Sequence, residues 1–171
     1  LLQQARHDGA TIVREVAGNS MDLGGVNGRV LWPQDASRVA AANNNNSLVL
    51  RLTDGNRNFM LSGDIEKKVE AALVSERAPL QADSLKVPHH GSKTSSIEAF
   101  LEAVQPKLAV ISVGESNSFG HPSPEVLDRY RSLGVHAYRT DRDGAVTTLT
   151  DGNFLEVQSF IEASNRVPAH P

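Results

Sequence analysis

The residues best suited to chemistry are one carboxylate and three imidazoles. They are Asp64 in Leu61-Ser62-Gly63-Asp64, the adjacent pair in Val87-Pro88-His89-His90-Gly91, and His121 in Ser118-Phe119-Gly120-His121-Pro122. Imidazole is the commonest neutral metal ligand and the one side chain that titrates unperturbed near pH 7. Successive side chains of a strand point to opposite faces, whereas a Pro-His-His-Gly loop breaks that alternation and can aim a ring into a site. A carboxylate and imidazoles converging on one edge suit a borderline-hard divalent ion such as Zn²⁺ or Mn²⁺. Each residue also has a plainer reading. Gly-Asp before a helix is an ordinary N-cap, and a Gly-His-Pro turn is ordinary surface. His136, inside a strand, and His7 and His170, near the ends, read as structural or solvated. Ser92 and Ser123 sit in no Gly-x-Ser-x-Gly elbow. Lys93 reads as solvated or as a contact for a phosphate oxygen.

Position unites these residues, because each follows an apolar strand-like run. Asp64 follows Phe59-Met60-Leu61, the histidine pair follows Leu85-Lys86-Val87, and His121 follows Leu108 to Val113. Asp141 and Asp143 follow Val135 to Arg139 in the same way. Further strands are expected over Thr11–Val16, Gly28–Trp32, Ser47–Thr53 (with Leu48, Leu50 and Leu52 on one face), Asn58–Leu61, Ala145–Thr150 and Phe154–Ser159. Asp54-Gly55-Asn56 and Asp151-Gly152-Asn153 read as hairpin turns. Helices are expected to close at Leu1–His7, with Gly9 as its C-cap, and to span Ile65–Glu76 and Ser96–Val104, the latter capped by Ser95 or Ser96. Another starts at Ser123-Pro124-Glu125, with Ser as N-cap, and Gly134 ends it. Helices alternating with strands give α/β layers, and such folds build sites from the loops at one sheet edge.

The 171 residues suffice for one domain with a core. A net charge of -3 offers no bulk attraction to nucleic acid or to an anionic membrane. The absence of cysteine excludes disulfides, thiolate metal sites and cysteine nucleophiles. No apolar run reaches the roughly 18 residues that span a bilayer. The chain opens on Leu1, in what reads as the end of a helix, and is expected to be a fragment of a longer protein. Residues 1–161 are expected to form a partial domain, and 162–171 a disordered tail.

Taken together, LSGDIE, LKVPHHGSKTS, ISVGESNSFGHPSPEVL and YRTDRDGAVT, in this order and spacing, resemble the C-terminal half of a metallo-β-lactamase-fold hydrolase domain. More narrowly they resemble the soluble domain of the ComEC family, the DNA-uptake channel proteins of natural competence. The preceding NNNNSLVLRL fits that family too, and the likeness runs from about Gly24 to Thr150. The resemblance implies an αββα sandwich, here incomplete and represented by its C-terminal portion, with two divalent metal ions, Zn or Mn, at one edge. It implies Asp64 as the carboxylate bridging them. One residue of the histidine pair would be a ligand: His90 is favoured, with His89 beside it or acting as proton donor. His121 would contact a scissile phosphate or protonate a leaving group. Asn45, Asn46, Ser92 and Arg139 would shape the site. The implied partners are DNA and the membrane channel of the same full-length chain, with no covalent cofactor. The implied location is the extracytoplasmic side of the cytoplasmic membrane, with the fragment itself soluble. Such a site also needs an upstream His-x-(His or Asp)-x-Asp-His cluster and a further His, which this sequence lacks. The isolated chain is therefore expected to hydrolyse little or nothing and to expose a sheet edge or core face. Another hydrolase of the same fold, or a non-catalytic channel-associated domain, are the alternatives.

Overall fold

The computed structural model describes residues 1–35, 43–161 and 165–167. Seven strands join edge to edge in chain order: β1 (Ser20–Leu23), β2 (Val26–Trp32), β3 (Val49–Asp54), β4 (Arg57–Leu61), β5 (Ser84–Lys86), β6 (Leu108–Ile111) and β7 (His136–Arg139). The first four pair antiparallel and the last four parallel, with β4 belonging to both sets. Short turns such as Asp54-Gly55-Asn56 can only reverse the chain. A parallel return needs a long crossover, and here the crossovers carry α2 (Lys67–Ser75), α3 (Glu98–Val104) and α4 (Pro124–Ser132). α1 (Leu2–His7) precedes the sheet, with Gly9 at φ +84 just beyond its cap.

Strand alternation sorts the core into two layers. Met60, Leu85, Ala109 and Ile111 meet Val69, Leu73, Phe100, Leu101, Val126 and Tyr130 on the helical side. Phe59, Leu108, Val110 and Tyr138 face a second antiparallel sheet, where they meet Val146, Leu155 and Val157. That sheet comprises β8 (Val146–Thr150), β9 (Leu155–Ser159) and β10 (Asn165–Val167), with β9 in the middle. The described residues thus supply helix, sheet and sheet of an αββα sandwich. The second sheet does not reach all of the first. Leu23 is 52% exposed and Leu61 41%, so part of an apolar face is open.

Several expectations need correction. Thr11–Val16 alternates like a strand but joins no ladder, and Val13 is exposed. Alternation reports a half-buried extended chain, not a partner. The segment is instead fastened just beyond, where the Ala17 amide donates to the Pro33 carbonyl (2.7 Å). In the third strand the buried residue is Val49, while Leu48 precedes the strand and is exposed. The region read as a tail contains β10, paired with β9. The rest of that tail, 162–164 and 168–171, lies outside the described residues.

Candidate metal centre

The predicted carboxylate and the three predicted imidazoles each follow the carboxyl end of a strand in the parallel half of the sheet. Asp64 follows β4, His89 and His90 follow β5, and His121 follows β6. Gly63 makes the first turn possible. It sits at φ +58, and a Cβ there would lie 2.5 Å from that of Ser47. The approach lets the Ser47 hydroxyl accept from the Asp64 amide at 3.1 Å. The next loop is a 3-10 turn, Pro88–Gly91, with His89 and His90 both left-handed at φ 46 and 55. Two consecutive non-glycine residues in that region store strain, which persists where surrounding contacts fix it and which clusters at functional sites.

The two rings have separate surroundings. His90 Nδ1 lies 2.6 Å from the Ser112 carbonyl, to which it donates. This leaves Nε2 bare, 3.5 Å from Asp64 Oδ1. A backbone carbonyl on one ring nitrogen is the arrangement that orients a metal-ligating histidine. Two donors about 2.1 Å from one tetrahedral ion stand about 3.4 Å apart, so the Asp64–His90 pair fits one ion. Of the two histidines, His90 is the one whose free ring nitrogen faces Asp64. Among the described residues no third His, Asp or Glu completes a ligand set with them. Lys86 Nζ stands 3.7 Å from Asp64 Oδ1 and donates to the carbonyls of Gly63 (3.1 Å) and Val87 (3.3 Å). Burial pulls its pKa below the ordinary lysine value, and Asp64 offsets only part of that.

His89 turns away from this pair. Its Nδ1 is buried, and the nearest partner, Glu66 Oε1, is 3.4 Å away. That is an ion-pair distance rather than a well-formed hydrogen bond. Its Nε2 faces the Asn44 amide nitrogen at 3.2 Å. The His89 ring lies 6.4 Å from that of His90 and 5.7 Å from that of His121, centroid to centroid. Three imidazoles therefore share one rim. The His121 loop is braced by Asn117, whose side chain accepts from the His121 amide (2.9 Å) and donates to its carbonyl (2.8 Å). Phe119 stacks on the His121 ring and is 80% exposed. Burial first, then the nearby His89 and His90, hold His121 below the usual histidine pKa. A cleft of about 440 Å³ opens here between His90, Val113, Phe119, His121 and Thr140.

The remaining candidates divide. Asn45 reaches the site indirectly, its side chain spanning the Glu66 carboxylate and amide. Asn46 is half-buried and lines a separate groove with Trp32 and Lys68. Ser92 is buried, with its hydroxyl on Thr94 (3.1 Å), so it shapes the loop from within. Arg139 is not brought to the cluster. Its guanidinium forms a two-pronged pair with Asp141, which holds that carboxyl below its ordinary value. Two residues of this rim went unnoticed in the sequence, Glu66 and Lys86. Their signal was proximity: each lies within the LSGDIE or LKVPHHGSKTS block that carries a candidate ligand.

Residues 27–115 match the model of the metallo-β-lactamase superfamily, more than half of the chain. The chain belongs to that superfamily. Among curated relatives of this superfamily member, ComE operon protein 3 of Bacillus subtilis is 36% identical over 146 residues, 85% of the chain and 19% of the relative. Competence protein ComA of Neisseria gonorrhoeae is 37% identical over 123 residues, 71% of the chain and 18% of the relative. Recombination protein 2 of Haemophilus influenzae is 35% identical over 142 residues, 83% and 18%. The chain thus spans about a fifth of the length of these relatives, and they bear out the resemblance to the competence family. A crystal structure from Parabacteroides distasonis described as a metal-dependent hydrolase superposes with a TM-score of 0.51 at 12% identity, covering 81% of this chain and 61% of that one. That likeness supports the fold.

Proposed function

We propose that this domain is the metal-dependent phosphodiesterase part of a membrane DNA-uptake protein and acts on DNA as it is imported. The observation that carries the reading is the Asp64–His90 pair, 3.5 Å apart with Nδ1 of His90 tied to Ser112, in a chain whose relatives include a competence protein. Asp64 and His90 would hold a divalent ion. When bound, the ion supplies positive charge to the phosphoryl oxygens and acidifies water. His121 would accept or relay a proton near the scissile phosphate, and His89 would serve the leaving oxygen. The upstream cluster that the resemblance requires for a second ion would come from the protein carrying this domain. Among the described residues no helix is long and apolar enough to cross a membrane, so the channel and the extracytoplasmic placement likewise belong to the proposal for the whole protein.

The test is cleavage of single- and double-stranded DNA by the full-length protein with Mn²⁺ or Zn²⁺. Asp64→Ala and His90→Ala are each expected to lower the rate at least a hundredfold. Undiminished cleavage in both variants would rule out the site. An inactive wild type that still supports DNA uptake would favour the non-catalytic, channel-associated reading. The isolated chain is expected to cleave little or nothing under the same conditions.

A further inference from the structure

We infer that Glu66 is the positioning residue of His89, fixing which of its ring nitrogens is free to carry a proton. The inference rests on the proposed phosphodiesterase reading for its consequence, but its geometry stands by itself. Glu66 lies between strand β4 and helix α2 and is held from three sides. The Thr94 hydroxyl donates to Oε1 at 2.7 Å. The Asn45 amide donates to Oε2 at 3.3 Å, and the Asn45 side-chain oxygen accepts from the Glu66 backbone amide at 3.1 Å. Asn45 is itself anchored, because its carbonyl accepts from Trp32 Nε1 at 2.7 Å. The Lys67 amide donates to the Thr94 carbonyl (2.8 Å), which closes the bracket between the two loops. A carboxylate braced this way has little freedom to leave His89.

The ring answers with one tautomer. With its amide nitrogen 3.2 Å from Nε2, the exposed Asn44 side chain donates and Nε2 accepts; only a turned Asn44 amide would accommodate the other tautomer. The proton of the neutral ring is then on Nδ1, whose nearest acceptor is Glu66 Oε1, 3.4 Å away and short of a well-formed hydrogen bond. The Glu66 carboxylate beside Nδ1, with only the exposed Asn44 amide on Nε2, makes an orienter–imidazole pair whose Nε2 is the nitrogen available for proton transfer once Asn44 gives way. A proton taken by Nε2 from solvent passes to the leaving oxygen as its bond to phosphorus breaks. The nucleophilic water releases its own proton to solvent as its oxygen bonds to phosphorus. Nδ1–H stays with Glu66 throughout. The arrangement also accounts for three residues of the asparagine run: Asn43 caps the turn by accepting from the Asn45 amide (2.9 Å), Asn44 contacts His89, and Asn45 holds Glu66.

The test has two arms. Ring ¹⁵N shifts of the metal-free chain, recorded where the histidines are neutral, are expected to show His89 with its proton on Nδ1, and Glu66→Ala to move the proton to Nε2. A wild-type ring protonated on Nε2, or mixed as in free histidine, overturns the inference, and that result does not depend on any variant folding. In the full-length protein Glu66→Ala is expected to lower kcat on DNA about a hundredfold with KM unchanged, and Glu66→Asp to recover part of it. On a diester with a p-nitrophenolate leaving group, which needs no proton, the loss is expected to be under threefold. Equal losses on both substrates make Glu66 a purely structural brace and overturn the role. If the wild type cleaves neither substrate, the phosphodiesterase reading fails, while the ring tautomer still decides the geometry.

Discussion

A histidine pair in a left-handed turn is an expensive way to present two rings, and the residues around it show what keeps it there. The His89 amide donates to the Gly63 carbonyl (3.3 Å) and the Ser92 amide returns to the His89 carbonyl (2.9 Å). Gly91 follows at φ +78 with its Cα packed on the His121 loop, where an added Cβ would stand 2.6 Å from Pro122 Cβ. The Gly91 carbonyl also accepts from the Ser123 amide (2.9 Å), so two histidine-bearing loops are fastened at one residue. Gly91→Ala imposes both a disfavoured φ and a contact with a rigid proline. It is expected to cost about 1–3 kcal/mol of unfolding free energy in urea titration and to move the ring resonances of His89, His90 and His121 together. A change within about 0.5 kcal/mol, with those resonances unmoved, would show that the loops are not locked through this glycine.

One element departs from its own sequence grammar. The spacing of serines before helix α3 calls for a hydroxyl cap, yet Ser95 donates to the carbonyls of Pro88 and Ser92, and the N-cap is Ile97, with no side-chain cap. The cap comes instead from helix α2: fully buried Glu70 accepts from the amides of Ser96 (2.6 Å) and Ile97 (2.9 Å). Burial drives its pKa up to about 7, against the pull of those two amides and of Arg129, while Glu66 adds a small push upward. The folded state therefore holds a proton that the unfolded chain releases near 4.5. This contribution is full below pH 4.5 and is lost as pH rises toward 7. On this account unfolding free energy falls by on the order of 3 kcal/mol between pH 4.5 and 7.5, and Glu70→Gln removes that slope. Urea titrations of both proteins at the two pH values check it; equal slopes would place the titration elsewhere. The episode also marks the limit of legibility. Cap and breaker residues located α3 and α4 to within a few residues, and apolar periodicity did so for α2 and most strands, because burial writes itself into local pattern. The Asp64, His90 and His121 placements were legible for the same reason, each following an apolar strand. Glu70 and Glu66 were not, because a carboxylate on a helix flank looks the same in sequence whether it faces water or another loop's amides. Arg139 was misplaced for the mirror reason: its partner Asp141 was visible two residues away but was read as a separate feature.

For the whole molecule, the decisive question is what holds the small second sheet on the large one, since among the described residues the apolar cluster between them is small: Phe59, Leu108, Val110 and Tyr138 on one side and Val146, Leu155 and Val157 on the other. Arg57, at the start of β4 and 2% exposed, supplies a polar fastening. Its Nε and Nη2 donate to the Asn153 carbonyl in the turn between β8 and β9 (2.8 and 2.6 Å), and Nη1 donates to Asp83 (3.0 Å) ahead of β5. Burial would raise the Asp83 carboxyl, but Lys107 at 2.8 Å, the Asn58 amide and Arg57 outweigh it and hold it below its ordinary value. The guanidinium thus joins β4, the approach to β5 and the turn of the second sheet at once. Breaking a buried pair by removing one partner costs more than the pair contributes, because the other charge stays behind unpaired. Arg57→Met keeps much of the apolar stem and removes the fork. It is expected to cost about 3–5 kcal/mol. The loss should be uneven: the Asn153 carbonyl loses both its donors, so amide exchange should accelerate in β8 and β9 more than in β5 and β6. Lys107 still neutralises Asp83, so Asp83→Asn in the Arg57→Met background should cost less than Asp83→Asn alone, by a coupling of about 0.5–3 kcal/mol. Uniform acceleration across both sheets would mean that they unfold as one unit and that the fastening is not local. Acceleration confined to the second sheet would mean that the edge carrying Asp64, His90 and His121 keeps its geometry when that sheet loosens.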